Sequence, residues 1–371
     1  MMCFNPPTSP CGEPTSLRKG RLDKEGDFMA MSVTKWLMNK FKDINKDRMN
    51  RHIEIIQQQS GKSKFYIKCS LAWNFLTQGT GYTDYFRGHF IDRTKEEKKT
   101  YATAKRFYRL MAYLNDEEYI VVLGDKLIFD EVFRDYLKRD FINLRKSTPD
   151  DLREFLKGKD IVFAKETKGE GGHGISKCVV KDITDVEAFY NRCKENGQYL
   201  IEDGIKQHPD LNQINPNVVN SFRVITLLND KGEIKMIANA LRVNQDDSVV
   251  IGCTNDLYFS LGADGKIDSN VVDDYGQVYD THPLTGVKFK DVYIHGVQEA
   301  FDMCIDAHKR IPQCRYIGWD IAFSENGPVI VEGNEYPGYG LVQHYALKNK
   351  RTGHLKEVAD HLGDEYNRIK L

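Results

Sequence analysis

The feature that most constrains this chain is a predicted β-hairpin at residues 318–334. Two short apolar runs flank a Glu-Asn-Gly-Pro turn, which predicts antiparallel strands joined by a tight loop. Asp320, Glu332 and Asn334 place oxygen-bearing side chains where the strands would otherwise continue apolar. With an odd loop at residues 325–327, Asp320 lies opposite Glu332. Asn334 then joins the same face, because side chains alternate along a strand.

Carboxylate and amide oxygens of this kind suit Mg²⁺, which takes a few protein ligands, keeps waters and binds substrate phosphates. The pattern therefore predicts a magnesium site on one face of the hairpin. The alternative is a surface hairpin with polar edges.

A glycine-rich segment, residues 165–175, separates two predicted strands at 160–164 and 176–180. Its glycines let backbone N–H groups fold around an anion without Cβ clashes. No Gly-Lys-Ser/Thr follows and the next element is a strand, which excludes a P-loop and a dinucleotide fingerprint. We interpret the segment as a loop over phosphates, with Lys165 as the phosphate cation. The alternative is an ordinary mobile hairpin tip.

Three further strands carry polar residues. The strand at 198–205 includes Glu202 and Asp203, the strand at 220–228 includes Arg223, and the strand from residue 236 to 243 includes Arg242.

Taken in order, four features resemble the ATP-grasp superfamily: the lysine and glycine hairpin, Glu-x-x-Ile, Asn-x-x-Arg and the carboxylate hairpin. The amino-acid sequences of several segments are similar to those of one branch, the sugar-transfer-associated ATP-grasp proteins. The genes of this branch are linked with bacterial exopolysaccharide synthesis. The likeness covers roughly residues 116–345, and its segments are 219–226, 282–286, 317–322 and 332–334.

This resemblance implies an α+β ATP-grasp fold, in which two subdomains clasp ATP. It implies Mg²⁺ (or Mn²⁺) at Asp320, Glu332 and Asn334, and adenine recognition at 202–205, mostly through backbone groups. The ATP-binding residues that it implies are Lys126, Lys165, Gly169, Gly171, Gly172, His173, Gly174, Glu202, Asp203, Ile205 and Asp210.

Several of these assignments have plain alternatives. Lys126 is also explained as a solvated lysine at a helix start, and Asp210 as an exposed loop carboxylate. His173 either shuttles a proton or only hydrogen-bonds phosphate.

The chain departs from the D-alanine–D-alanine ligases, which carry an arginine two residues before the metal aspartate, where this chain has Gly318. The cation for a developing oxyanion must then come from elsewhere. Our candidate catalytic residues are Arg223, Arg242 and Lys165, although either arginine could be an ordinary strand-surface residue. Glu335 and the stretch at 253–256 are also atypical, which leaves the acceptor site open.

Composition adds limits. The chain has 371 residues, 40% of them hydrophobic, and a net charge of −1, so bulk electrostatics favour neither nucleic acid nor an anionic membrane. No apolar run approaches the roughly 20 residues that a membrane span needs. Eight cysteines without a Cys-x-x-Cys pair predict free thiols in a protein of the bacterial cytoplasm.

We expect residues 1–32 to be disordered, 33–115 to form a helical N-terminal region and 116–371 to form the ATP-grasp domain. Aromatic residues at 69–87 could line an acceptor pocket or pack as core. The finer expectations are helices at 33–60 and 95–115, alternating strand and helix at 116–146, a glycine-loop subdomain at 147–206, a central sheet with the metal hairpin at 207–345 and a C-terminal helix from about 353.

Three functions fit these expectations. The first is a carboxylate–amine ligase that works through an acyl phosphate on small-molecule substrates, with glycan-linked substrates as one option. The second is a kinase that stops at phosphoryl transfer, and the third is a nucleotide-binding protein without turnover. Together Asp320, Glu332, Asn334 and Lys165 argue against the third, because a binder without turnover does not need the full metal set.

Overall fold

A computed structural model of the protein describes residues 45–169, 174–246, 256–348, 350–369 and 371. The fold is α+β, as predicted, with helices and two antiparallel sheets. The strands are β1 Phe141–Asn143, β2 Ile161–Lys165, β3 Ile175–Val179, β4 Leu200–Asp203, β5 Ser221–Leu228, β6 Ile234–Asn244, β7 Asp256–Phe259, β8 Val272–Asp273, β9 Tyr316–Ser324 and β10 Gly327–Asn334.

The N-terminal half of the described chain is mostly helical, and none of the described helices has the length and apolar content that a bilayer crossing requires. The α-helices are Lys46–Ser60, Lys64–Gln78, Tyr82–Arg87, Lys95–Lys99, Ala104–Leu114, Ile120–Gly124, Lys126–Val132, Arg134–Leu137, Pro149–Leu156, Val186–Glu195, Pro209–Asn212, Val297–His308, Tyr345–Lys348 and Leu355–Leu362.

Two helix predictions need correction. The first described helix begins at Lys46, because Asn45 has an extended backbone and its side chain accepts the Arg48 N–H at 2.9 Å, which caps the helix. The predicted residues 33–44 of that helix lie outside the described residues. The single helix predicted at 95–115 is wrong, since the extended backbone at Thr103 separates two shorter helices.

The aromatic segment at 69–87 divides between core and surface. Tyr85 and Phe86 are fully buried in the core of the N-terminal helices, whereas Trp73 is exposed. This core is further built from Ile53, Ile56, Ile67, Phe90 and Tyr101.

The smaller sheet has the order β1-β4-β2-β3 and is antiparallel throughout. Strand β1 precedes residue 147, so the sheet that carries the glycine loop begins earlier than predicted. The alternation of strand and helix predicted at 116–146 is also wrong. Three helices, the last at Arg134–Leu137, come before the single strand β1.

The larger sheet has the order β10-β9-β5-β6-β7-β8. One face packs on the helix Val297–His308, through residues such as Phe222 and Trp319. The opposite face is apolar at one end, where Ile225 joins a cluster with the helices Ala104–Leu114 and Leu355–Leu362. The other end of that face carries polar residues.

Candidate active site

The metal hairpin forms as predicted, but its loop does not. Gly327 pairs with Ser324, so the loop has two residues rather than three. Gly327 has a φ of +90°, a conformation that glycine adopts at little cost. A register shift between Ile330 and Glu332 marks a β-bulge. Without that bulge, Val331 would oppose Asp320.

The bulge brings the three predicted metal residues together. Glu332 pairs directly with Asp320, and the Asn334 side chain donates to Asp320 Oδ2 at 3.2 Å. Arg223 lies opposite Asp320 on β5 and donates from Nε to Oδ1 at 2.5 Å and from Nη2 to Oδ2 at 2.9 Å. The fork neutralises Asp320 and fixes its orientation.

Within the described part of the chain, no guanidinium fork of this kind binds Glu332. Burial and the adjacent Asp320 carboxylate raise the pKa of Glu332 to about 7, and the cations Lys126 and Lys165 only partly offset them. A divalent cation between the two carboxylates would relieve this repulsion. The donor set therefore fits Mg²⁺, which needs only one or two carboxylates besides phosphates and waters.

The described residues contain no cluster of three or more His, Cys, Asp or Glu side chains that could hold a metal. The candidate set at the hairpin consists of two carboxylates and one amide.

The neighbours of Gly318 explain why this position carries no side chain. A Cβ at this position would lie 2.3 Å from the Cβ of Pro337 and 3.2 Å from the Cδ of Arg223. An arginine at 318 therefore does not fit, and the Arg223 side chain crosses the space above Gly318 instead. The Arg223 guanidinium thus lies beside Asp320, and its predicted role as the catalytic cation stays a prediction.

A second charged cluster lies on the smaller sheet. Glu202 is 2% exposed and receives Arg139 Nε at 3.0 Å and the Lys165 ammonium. Burial disfavours its charged form, but the two cations outweigh that effect and hold the pKa of Glu202 at about 2.

Arg139 was not predicted, and it joins the two sheets. Besides Glu202, its guanidinium donates to the carbonyls of Ile330 at 2.8 Å and Val331 at 3.3 Å, at the bulge of the metal hairpin. The sequence offers no signal for this role, because Arg139 stands outside every motif.

Asp130 was also missed. It is 2% exposed, and burial together with the Glu202 charge raises its pKa to about 8. Its Oδ2 receives no hydrogen bond from the described residues, and a protonated Asp130 can donate to Glu202.

Lys126 lies at a helix start, as one of its two interpretations predicts, and its contact with phosphate stays a prediction. It is the first residue of the helix Lys126–Val132, which Asp125 caps. Its ammonium donates to the Gly169 carbonyl at 2.8 Å, and its backbone N–H donates to the Thr167 carbonyl at 2.8 Å.

One cleft reaches both charged clusters, although Asp320, Arg223 and Arg139 are not among the residues that line it. It lies between the sheets, and the unpredicted Asp130 is part of its lining. The predicted residues that line it are Lys126, Lys165, Gly169, Glu202, Glu332 and Asn334.

Other predicted residues have different contacts in the described chain. The Asp203 carboxylate accepts its neighbouring Gly204 N–H at 2.8 Å and lies 3.4 Å from Lys159 Nζ. Asp210 accepts from the N–H and Nδ1 of His295 at 2.8 and 2.7 Å, away from the lining of the cleft. Asp210 is therefore not the exposed loop carboxylate of the alternative, because it lies in the helix Pro209–Asn212 with its side chain 16% exposed, and the ribose contact stays a prediction.

In the segment predicted to bind adenine, residues 202–205, two backbone N–H groups already have acceptors within the protein. The N–H groups of Asp203 and Gly204 donate to the carbonyls of Asp140 and Ile161, so these two cannot serve adenine in this structure. Ile205 is half-buried and is not among the lining residues of the cleft.

Arg242 lies on the same sheet face as Arg223, displaced by two residues, since Arg223 pairs with Ala240 and Arg242 with Ser221. It donates to Asp256 at 2.8 Å.

The described residues at the two ends of the glycine-rich segment extend the β2–β3 hairpin. Lys165 pairs with Ile175, and the Glu166 N–H donates to the Gly174 carbonyl at 3.0 Å. Gly174 has a φ of +71°, and a Cβ there would meet the Glu166 side chain. Gly171, Gly172 and His173 lie outside the described residues, as do residues 253–255 of the atypical stretch.

Solved structures with a related fold include ligases. The ATP-grasp ligase PsnB complexed with minimal precursor is 15% identical, with a TM-score of 0.41, and the match covers 67% of this chain and 63% of PsnB. The D-alanine-D-alanine ligase from Coxiella burnetii is 11% identical, with a TM-score of 0.37, and the match covers 67% of this chain and 56% of the ligase. The chain thus spans less than two thirds of either protein.

No curated protein matches the chain. The model of one protein family, described as sugar-transfer associated ATP-grasp, matches residues 105–358, which is more than half of the sequence. This range includes both sheets and every residue of the cleft described above. The chain belongs to the sugar-transfer associated ATP-grasp family.

Proposed function

We propose that this protein is an ATP- and Mg²⁺-dependent carboxylate–amine ligase. The observation that carries the proposal is the meeting of two lysines with the metal hairpin in one cleft. Lys126 and Lys165 face Glu332 across it, so cations for phosphate and ligands for a metal stand side by side.

In the first step, an oxygen of the substrate carboxylate attacks the γ-phosphorus of ATP. The bond from that phosphorus to the bridging oxygen breaks, and ADP leaves. Lys126 and Lys165 hold the phosphate charges, which is most of what phosphoryl transfer requires. Mg²⁺ held by Asp320, Glu332 and Asn334 would neutralise the phosphate oxygens.

In the second step, an amine attacks the acyl carbon, loses a proton to solvent and expels phosphate, which leaves an amide. Negative charge builds on the former carbonyl oxygen. Arg223 is our first candidate to stabilise it, because its guanidinium lies on the metal face of the sheet beside Asp320. Arg242 is the second, further along the same face.

The glycine loop would exclude water from the acyl phosphate when it covers the phosphates. Its anchoring supports this role, since the carbonyl of Gly169 already receives the Lys126 ammonium. The family description points to a sugar-linked substrate. We propose that the carboxylate is a uronic acid of a surface polysaccharide or its precursor, and that the amine is an amino acid.

Hydroxylamine trapping tests the reaction. An acyl phosphate reacts with hydroxylamine to give a hydroxamate, so the ligase should yield hydroxamate in step with ADP when a carboxylate substrate is supplied. Glu332→Gln serves as the control that should yield neither. Turnover to ADP with a phosphorylated hydroxyl product and no hydroxamate would reject the ligase.

A kinase is the second candidate, and one observation favours it. Both nitrogens that Arg223 directs at Asp320 are engaged, and Arg242 is paired with Asp256. Among the described residues, both arginines of this sheet face are thus held by carboxylates, so acyl transfer would have to draw on a guanidinium that is already ion-paired, whereas transfer of a phosphoryl group to a hydroxyl would need neither arginine.

A further inference from the structure

The helix Lys64–Gln78 exposes an apolar face that faces away from the protein core. Its inward side buries Ile67 and Asn74. Its outward side includes some of the most exposed large hydrophobic residues of the described chain. They are Phe65 at 78%, Leu76 at 71%, Trp73 at 68% and Tyr66 at 53% exposure, and together with the exposed Cys69 and Ala72 we call them the exposed helix face.

The spacing of these residues gives one continuous stripe. Phe65, Cys69, Ala72 and Leu76 are separated by four, three and four positions, which places them on one side of three helical turns. Trp73 and Tyr66 flank this stripe. A helix that only closed the local core would carry polar residues here.

The charged residues of this helix are all positive. The sequence from Lys64 to Gln78 contains two lysines and neither Asp nor Glu, and Lys62 precedes it. Lys62 Nζ lies 5.7 Å from the ring centre of Tyr66, and Lys64 is paired with Glu54 at 2.8 Å. Aromatic residues with lysines beside them are typical of helices that lie in a membrane interface.

The area of the face favours a lipid surface over a second copy of the chain. An aromatic side chain buries about 150–250 Å², so the exposed fractions of these side chains amount to on the order of 500 Å². A stable protein interface needs about 800 Å² from each partner. A bilayer interface requires only that a few apolar side chains insert while cations meet lipid headgroups.

We propose that the exposed helix face docks the protein on an anionic membrane surface, with the helix lying in the interface. The net charge of −1 gives the whole chain no general attraction to such a surface. The effect is therefore local to this helix. The proposal goes beyond the ligase activity and does not depend on it.

Vesicle sedimentation with the full chain tests the apolar contribution. The protein should bind vesicles of phosphatidylcholine with about one third phosphatidylserine. The triple variant Phe65→Gln, Trp73→Gln and Leu76→Gln should bind at least tenfold more weakly with an unchanged melting temperature. Val278→Gln with Leu284→Gln, which alters two other exposed apolar residues, should bind as the unaltered protein does.

The charge contribution has its own variant. The double variant Lys62→Gln with Lys68→Gln should bind the anionic vesicles severalfold more weakly. Added salt should weaken vesicle binding by the unaltered protein in the same way. Three outcomes would overturn the proposal: no binding by the unaltered protein, equal binding by the triple variant, or a dimer in analytical ultracentrifugation that the triple variant abolishes. The last result would assign the face to self-association.

Discussion

Two glutamates on facing sheets of the same cleft differ in how the protein treats their charge. Glu202 on the smaller sheet has two cations against it, and its pKa falls to about 2. Glu332 on the larger sheet shares its space with Asp320, and its pKa rises to about 7. Both carboxylates line the cleft, yet only Glu202 has its charge fully compensated by the protein.

The difference separates two roles. A compensated buried charge holds its neighbours in place, so Glu202 positions Lys165 and Arg139. An uncompensated carboxylate beside another carboxylate costs free energy until a cation arrives, so the surroundings of Glu332 favour the binding of a cation. Arg139 connects the two sides, because it binds Glu202 and the carbonyls at the bulge that sets the position of Glu332.

The largest effect should come from Arg139→Gln. The substitution leaves Glu202 buried with Lys165 as its one remaining cation in the cluster, and breaking such a pair typically costs about 3–5 kcal/mol. Urea unfolding without ligand measures this loss. The control is Arg153→Gln, which breaks the exposed pair with Asp150 and should cost less than about 1 kcal/mol. Equal losses in both variants would mean that Glu202 does not depend on its cations.

Glu332→Gln should leave the stability of the ligand-free protein intact but remove the stabilisation by ligand. Without ligand its free energy of unfolding should be unchanged or slightly higher, because the repulsion with Asp320 disappears. The stabilisation by Mg²⁺·ATP should largely vanish, although a ligand at 100 times its Kd normally adds about 2.7 kcal/mol. Thermal shift measurements with ATP, with and without Mg²⁺, check both parts. A full Mg²⁺-dependent shift in the variant would remove the metal assignment.

Arg223→Lys tests the cation beside the metal set. Lysine keeps the charge but loses the planar fork to Asp320, so kcat should fall about a hundredfold with little change in the KM for ATP. Steady-state ADP release measures both constants, and Arg242→Lys is the matched variant on the same face. If only Arg242→Lys fails, the two roles are exchanged. If both variants are active, the kinase is favoured.

The sequence was sufficient to predict the placement of residues that follow the alternating periodicity of a strand. The even separation of Asp320 and Glu332 predicts that they share a face, and the structure confirms that they pair. The route differs, because a two-residue loop and a bulge replace the odd loop. A bulge is fixed by contacts from other segments, here the Arg139 bonds to Ile330 and Val331, and a hairpin sequence alone does not encode them.

Arg139 and Asp130 could not be predicted for a related reason. Glu202 lies 63 positions after Arg139, and no periodic pattern links residues across that distance. Asp130 sits in a short helix where a strand was also plausible, so its burial could not be inferred. Lys165 and Glu202, in contrast, stand in strands whose apolar neighbours reveal the buried face.

The smallest effect concerns the pH dependence of stability at Asp130. Its folded pKa of about 8 lies above the ordinary value of about 3.9, so the folded state keeps a proton that the unfolded state releases between these pH values. Its contribution to stability is therefore complete below about pH 4 and is lost as pH rises through about 8. Asp130→Asn cannot ionise and escapes this loss.

The variant should be more stable than the unaltered protein by about 1–2 kcal/mol at pH 8.5, after the cost of a buried amide, and should lose that advantage near pH 4.5. Urea midpoints at the two pH values measure the difference, and the exposed Asp150→Asn should show none. Glu202 does not interfere, because its low pKa makes its contribution disappear only as pH falls from about 4 toward 2. The same advantage at both pH values would mean that Asp130 is ionised in the folded protein, and then the compensation at Glu202 would have to extend to a second carboxylate.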